Sequence, residues 1–124
     1  MVHSIGALGF VNASVFMQRI IGQLQDIRID PEPYKIRRDL MVSTLQESGY
    51  SITQIPDGGI FIFPESPIQD DHVFCDYLAQ QHHIFTVPGS AFGRPGYFRL
   101  SFSNEMEKII QAKEGLQEAY RHFK

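Results

Sequence analysis

The amino-acid sequence predicts an α+β fold, in which a small antiparallel or mixed sheet carries packed helices and a further helix precedes it. Four segments repeat apolar residues at helical spacing, and one segment alternates at strand spacing. Clusters of glycine and proline punctuate the chain between them. The resulting order, αα-ββ-α-ββ-α, is that of a layered α+β domain.

In the first segment Ala13, Phe16, Met17, Ile20, Ile21 and Leu24 follow i, i+3, i+4 spacing, with Asn12 as the expected N-cap. The stretch before it, 5–11, is apolar and glycine-rich with no period. Asp30-Pro31-Glu32-Pro33 breaks the chain, and this helix need not belong to the core that follows. A second helix is expected over 34–48, with Leu40, Met41 and Leu45 inward and Gly49 as the left-handed residue beyond its end. Two strand-like runs, 50–55 and 60–63, flank Pro56-Asp57-Gly58-Gly59, which predicts a β-hairpin.

A third helix is expected over 70–81, burying Val73, Phe74, Tyr77 and Leu78. Strands are expected at 84–87 and 97–102. The last helix, over 105–122, turns Met106, Ile109, Ile110, Leu116, Ala119 and Tyr120 inward, and Asn104 and Glu107 have the spacing of a capping box.

Composition narrows the function classes. A hydrophobic content of 43% with 12% aromatic residues argues against disorder. The net charge of −3 provides no electrostatic footprint for nucleic acid or an anionic membrane. No apolar run approaches the roughly 20 residues of a membrane span. The start, Met1 to Ser4, does not read as a signal peptide, and the single cysteine, Cys75, fits a reducing cytoplasm.

The most unusual stretch is 87–96, with three glycines and two prolines in ten residues. Such a loop lets backbone approach a ligand closely, although a tight strand connection would have the same composition. In the strand after it, Phe98, Leu100 and Phe102 alternate with Tyr97, Arg99 and Ser101, which leaves Arg99 on the polar face. An arginine there can offer its planar fork to a carboxylate, or it can reach solvent or pair with a local acid. Spacing alone leaves that choice open.

Other candidates are weaker. His82 and His83 are adjacent and point apart, with no Cys or His to complete a metal site. His3, His72 and His122 are dispersed, and Cys75 lies among apolar neighbours that favour inert packing. Ser90 is not in a nucleophile elbow and has no visible histidine–acid pairing, so a self-contained hydrolase lacks support.

Taken in order, several motifs resemble those of pyridoxal-phosphate (PLP) aminotransferases of class I/II, the aspartate aminotransferase-like enzymes of fold type I. They are Val11-Asn12-Ala13-Ser14 with Phe16-Met17-Gln18; Tyr34-Lys35-Ile36-Arg37-Arg38-Asp39; and Pro56-Asp57-Gly58-Gly59-Ile60-Phe61-Ile62-Phe63-Pro64. The most specific is Val87-Pro88-Gly89-Ser90-Ala91-Phe92-Gly93 with Gly96-Tyr97-Phe98-Arg99-Leu100-Ser101-Phe102. Ser14 stands where the family often has proline.

The resemblance implies a division into residues 1–29, a remnant of the large domain with the long interdomain helix, and residues 30–124, the C-terminal small domain. It implies that Arg99 binds the α-carboxylate of the amino acid or 2-oxo acid substrate. It also implies PLP as cofactor of the parent enzyme, held as a lysine Schiff base. The family's S-x-[SA]-K motif is absent, and the four lysines, Lys35, Lys108, Lys113 and Lys124, fall on helix faces.

The chain therefore reads as a truncated or split portion, inactive alone, binding no PLP covalently, that works with an N-terminal large domain in a cytoplasmic homodimer. No catalytic residue, metal site, nucleic-acid contact or membrane contact is expected. A non-catalytic amino-acid-sensing or subunit-interaction domain would share the architecture and remains the alternative.

Overall fold

The computed structural model describes residues 14–124, and the chain divides after Asp30 into two compact units. The first unit contains α1, Val15–Gln23. Ser14 is its N-cap and makes no side-chain capping bond; the expected cap, Asn12, lies outside the described residues. From Phe16 onward the apolar stripe forms as its spacing predicts, Ala13 lying outside the described residues, yet α1 has no buried residue. Phe16 is 71% exposed, and Met17, Ile21 and Leu24 are also open. At nine residues, the described helix is shorter than the long interdomain helix that the resemblance implies. It stops where the Leu24 N–H and the Gln25 side chain both turn back to the Ile21 carbonyl.

The second unit begins with α2, Glu32–Glu47, which starts on Pro31 and carries Pro33 in its first turn, where a missing N–H is harmless. Met41, Val42, Thr44 and Leu45 face inward. The helix ends in a Schellman arrangement, with the Tyr50 N–H bonded to the Leu45 carbonyl and the Gly49 N–H to that of Gln46. Gly49 has φ +97°, and a Cβ there would lie 2.6 Å from the Tyr120 ring, so both conformation and space call for glycine.

The order continues with β1 (Phe61–Ile62), α3 (Asp71–His82), β2 (Val87–Pro88), a 3-10 turn (Gly89–Phe92), β3 (Phe98–Ser101) and α4 (Met106–Phe123). The sheet is antiparallel with order β1-β3-β2, so β3 is central. Phe61 pairs with Ser101, Ile62 with Leu100, Val87 with Arg99 and Pro88 with Phe98. Helix α4 packs on both α2 and α3. Among the fully buried side chains are Leu45, Ile62, Phe74, Leu78, Phe98, Phe102, Ile109 and Leu116, each contributing roughly 1.5–3 kcal/mol of transfer free energy. Tyr50 anchors this core edge-on to Phe98 and Tyr120, its hydroxyl donating to the Leu116 carbonyl at 2.9 Å.

Four details depart from the sequence reading. The expected hairpin over 50–63 does not form: β1 pairs with β3, and residues 50–55 are not a strand. The chain bends over 57–60, but after Tyr50 and Ile52 the first run has no further packed apolar side chain, since Ile55 is exposed. One bond survives, from the Glu65 N–H to the Ser51 carbonyl. Second, the strand expected at 84–87 shortens to Val87–Pro88.

Third, Val73, Met106 and Ile110 are exposed, because the buried stripes centre on Phe74 and Leu78 in α3 and on Ile109 and Leu116 in α4. Val73 and Ile110 lie one residue, or about 100°, round the helix from those lines. Fourth, α4 is capped by Glu105 without a side-chain bond, so Asn104 precedes the cap and the capping box does not form.

Candidate carboxylate-binding site

Arg99 lies at the second position of β3, with Phe98 and Leu100 buried on the other face and Arg99 and Ser101 half-buried. This is the alternation the sequence predicts. Cross-strand pairing explains the first neighbour: Phe61 is opposite Ser101, hence diagonal to Arg99 on the same face. The Phe61 ring centre lies 4.2 Å from the Arg99 guanidinium carbon, and that of Phe92, from the 3-10 turn, lies 4.5 Å from it. The rings extend the array, since Phe92 meets Phe63 edge-on and Phe63 stacks on Tyr97. Arg94 lies over Tyr97 at 4.0 Å and donates to its hydroxyl.

Among the described residues, no carboxylate pairs with Arg99 and no hydrogen bond engages its guanidinium. Aromatic contact uses the flat face of a guanidinium, while its N–H groups point outward in the plane. Arg99 is thus a held cation whose donors are unengaged. A cavity of about 300 Å³, lined by Thr53, Gln54, Pro56, Phe61, Phe63 and Arg94, opens at the Phe61 side of the array.

The loop after β2 is set by an acid that sequence reading passed over. Asp70 caps α3 through its bond from the Val73 N–H. Asp71, next to it and only 2% exposed, turns to the loop instead. Its Oδ2 accepts from the Ser90 N–H at 2.8 Å and the Gly96 N–H at 3.2 Å, and its Oδ1 accepts from Ser90 Oγ at 3.0 Å. Burial pushes the Asp71 carboxyl up, but these bonds, with His72 nearby, outweigh it and hold the group below the ordinary carboxylate range. Gly89 closes the loop: a Cβ there would fall 2.4 Å from the Arg94 carbonyl oxygen.

The sequence reading found no histidine–acid pair near Ser90, and the fold supplies one, for His72 Nε2 lies 2.9 Å from Ser90 Oγ. His72, read as a dispersed solvated residue, is exposed but engaged. The sequence separation of 18 to 19 residues hid the cluster. The order of contacts is not that of an activated nucleophile, in which histidine takes the hydroxyl proton and the acid orients the far ring nitrogen. Here acid and histidine both meet the hydroxyl, and no bond joins His72 to Asp71 among the described residues.

The remaining candidates hold structural places. Cys75 is buried, and burial pushes its thiol up. His82 and His83 end α3, with His83 left-handed at φ 55°, and no metal-binding group exists among the described residues. Arg37 and Arg38 of α2 donate to the carbonyls of Ser103 and Pro56, tying the helix to the far end of β3 and the turn before β1.

A PLP Schiff base requires a lysine, and none of the four lysines contacts Arg99 among the described residues. Lys35 is exposed beside Glu32, and Lys113 pairs with Glu47. Lys124 lies near the Tyr120 ring. Lys108 lines a separate groove of about 510 Å³ with Met41, His82, Phe85, Leu100 and Asn104, from which Arg99 is absent.

Comparison with known proteins gives a consistent result. The family model for aminotransferase class I and II matches residues 17–113. An aspartate aminotransferase of Musicola paradisiaca is 29% identical over 98% of this chain and 32% of its own length. One from Thermotoga maritima is 31% identical over 70% of this chain and 22% of its own. The chain thus spans a third or less of these relatives. Among solved structures, an amino transferase of Eubacterium rectale superposes with a TM-score of 0.84 at 29% identity, covering 98% of this chain and 30% of that one. The aspartate aminotransferase of Thermus thermophilus with maleate gives 0.66 at 26% identity, covering 71% and 23%. With the family model matching residues 17–113, most of its length, the chain belongs to the aminotransferase class I and II family.

Proposed function

We propose that this chain is the substrate-carboxylate domain of a PLP-dependent aminotransferase, which moves an amino group between an amino acid and a 2-oxo acid. The observation that carries this is Arg99, a half-buried guanidinium on the central strand, held by two phenyl rings and lacking any acidic partner among the described residues. A planar fork with unengaged N–H groups suits a carboxylate in bidentate fashion. The phenyl rings restrict its rotamers beforehand, so less freedom is lost when a carboxylate arrives.

In this reading Arg99 fixes the carboxylate end of the substrate, which orients the α-carbon, and Phe61 and Phe92 keep water from the guanidinium faces. PLP supplies the electron sink when bound, from the two thirds of the family's length that this chain does not span. That portion brings the lysine, and the exposed stripe of α1 suits contact with it or with a second protomer. In the enzyme carrying this chain, Arg99→Lys keeps the charge but loses the fork. It should lower kcat/KM for the amino acid by about tenfold or more. An unchanged kcat/KM would remove the proposal.

A further inference from the structure

We propose that Asp71 is a positioning residue for Arg99, acting through the loop 89–96 and the Phe92 ring. The inference rests on the reading of Arg99 as the carboxylate arginine. Asp71 is buried and accepts three hydrogen bonds, all from this loop. Two come from the Ser90 N–H and hydroxyl, two residues before Phe92, and the third from the Gly96 N–H, three residues before Arg99. The acid thus ties both ends of the segment that carries Phe92 to the first turn of α3.

Between those ties, the 3-10 turn Gly89–Phe92 delivers the Phe92 ring to 4.5 Å from the Arg99 guanidinium. Phe92 is 50% exposed, so core packing alone does not hold it there. A buried carboxylate with three donors is a stiff anchor, because its alternatives leave either a charge or two N–H groups unsatisfied in the interior. Asp71 itself faces the loop and has no contact with Arg99 among those described.

The test uses the 124-residue chain and NMR of the Arg99 Nε–Hε group, whose shift senses the ring currents of Phe61 and Phe92. Acetate is the carboxylate probe. In the parent chain acetate should move this signal; if it does not, the carboxylate reading itself fails, whatever Asp71 does. Given that response, Asp71→Ala should shift the acetate-free signal in the direction produced by Phe92→Ala. It should also weaken acetate by up to about two- to fivefold, no more than removal of the Phe92 ring contact itself.

Asp71→Asn should restore most of the effect, since its amide oxygen can serve the two N–H groups while its NH₂ faces Ser90 Oγ. A purely structural role would instead move core signals such as Phe98 and Leu45, and leave the Asn variant no better than Ala. Should Asp71→Ala fail to fold, Ser90→Ala decides, as it removes the hydroxyl's contacts with Asp71 and His72 and keeps the two backbone bonds to Asp71. A smaller shift in the same direction supports the inference, and an unmoved Arg99 signal with unchanged acetate affinity overturns it.

Discussion

The Phe92 ring, from a turn between β2 and β3, stands 4.5 Å from the guanidinium of Arg99 on the central strand. Six residues of glycine- and proline-rich chain separate the two, and the hydrogen bonds of the Ser90–Gly96 loop bring them together. Phe61 makes the matching contact from β1. The pairs place a permanent cation at the sheet surface with its faces against rings and its donors available.

These ring contacts should be measurable. A cation–π contact at a partly exposed site contributes about 0.5–1 kcal/mol. Phe61→Leu and Phe92→Leu should each weaken carboxylate binding by about two- to fivefold, while leaving the midpoint of denaturant unfolding close to the parent value. Binding is read by titration of the Arg99 signal and stability by urea melts.

Gly89→Ala should destabilise the domain by about 1–3 kcal/mol, an overpacking effect against backbone and the Tyr97 Cβ. The neighbouring Gly93, whose missing Cβ faces open space at φ +76°, should show a milder loss from conformation alone. Urea unfolding of the two variants side by side checks the order.

Much of this was legible in the sequence because helical and strand periods are local. The stripe of α4 and the alternation of β3 can be counted, and Arg99 falls on the polar face by that count alone. What was not legible depends on chain returning from elsewhere. The turn at 56–59 is a real local signal, but the partner of Phe61–Ile62 is β3, some forty residues on. The Asp71–Ser90 bonds span 19 residues. A usable sign existed in the Asp70-Asp71 pair at a helix start: one aspartate suffices for the cap, leaving its neighbour for other donors. Family resemblance supplied a role for Arg99 but none for Asp71.

Acid should find Asp71. Its carboxyl is held below the ordinary value of 3.8, so the folded state favours the ionised form more than the unfolded state does. The stabilisation is complete above the unfolded value and disappears as pH falls through the folded one. Unfolding free energy should therefore fall as pH drops through the ordinary carboxylate value and on through the lower folded one, and Asp71→Asn should flatten that part of the curve.

Tyr50 gives the opposite slope. Burial, with a smaller contribution from Tyr120, pushes its phenol well above the ordinary value of 10.0. The neutral hydroxyl belongs to the folded state, so stability is complete below that value and is lost as pH rises beyond it. Tyr50→Phe should cost about 1 kcal/mol at neutral pH, through the bond to the Leu116 carbonyl, and remove part of the alkaline loss.

The central claim is that Arg99 recognises a carboxylate, and one comparison tests it most directly. In the enzyme carrying this chain, the parent and Arg99→Ala are compared on an amino acid and on the amine that lacks only its carboxylate. Two charge-assisted hydrogen bonds together represent about 3 kcal/mol or more, or at least roughly a hundredfold in kcat/KM. The account predicts that loss on the amino acid, with the amine turned over at nearly the same slow rate by both proteins. Equal losses on the two substrates would contradict it, for Arg99 would then support the site without reading the carboxylate.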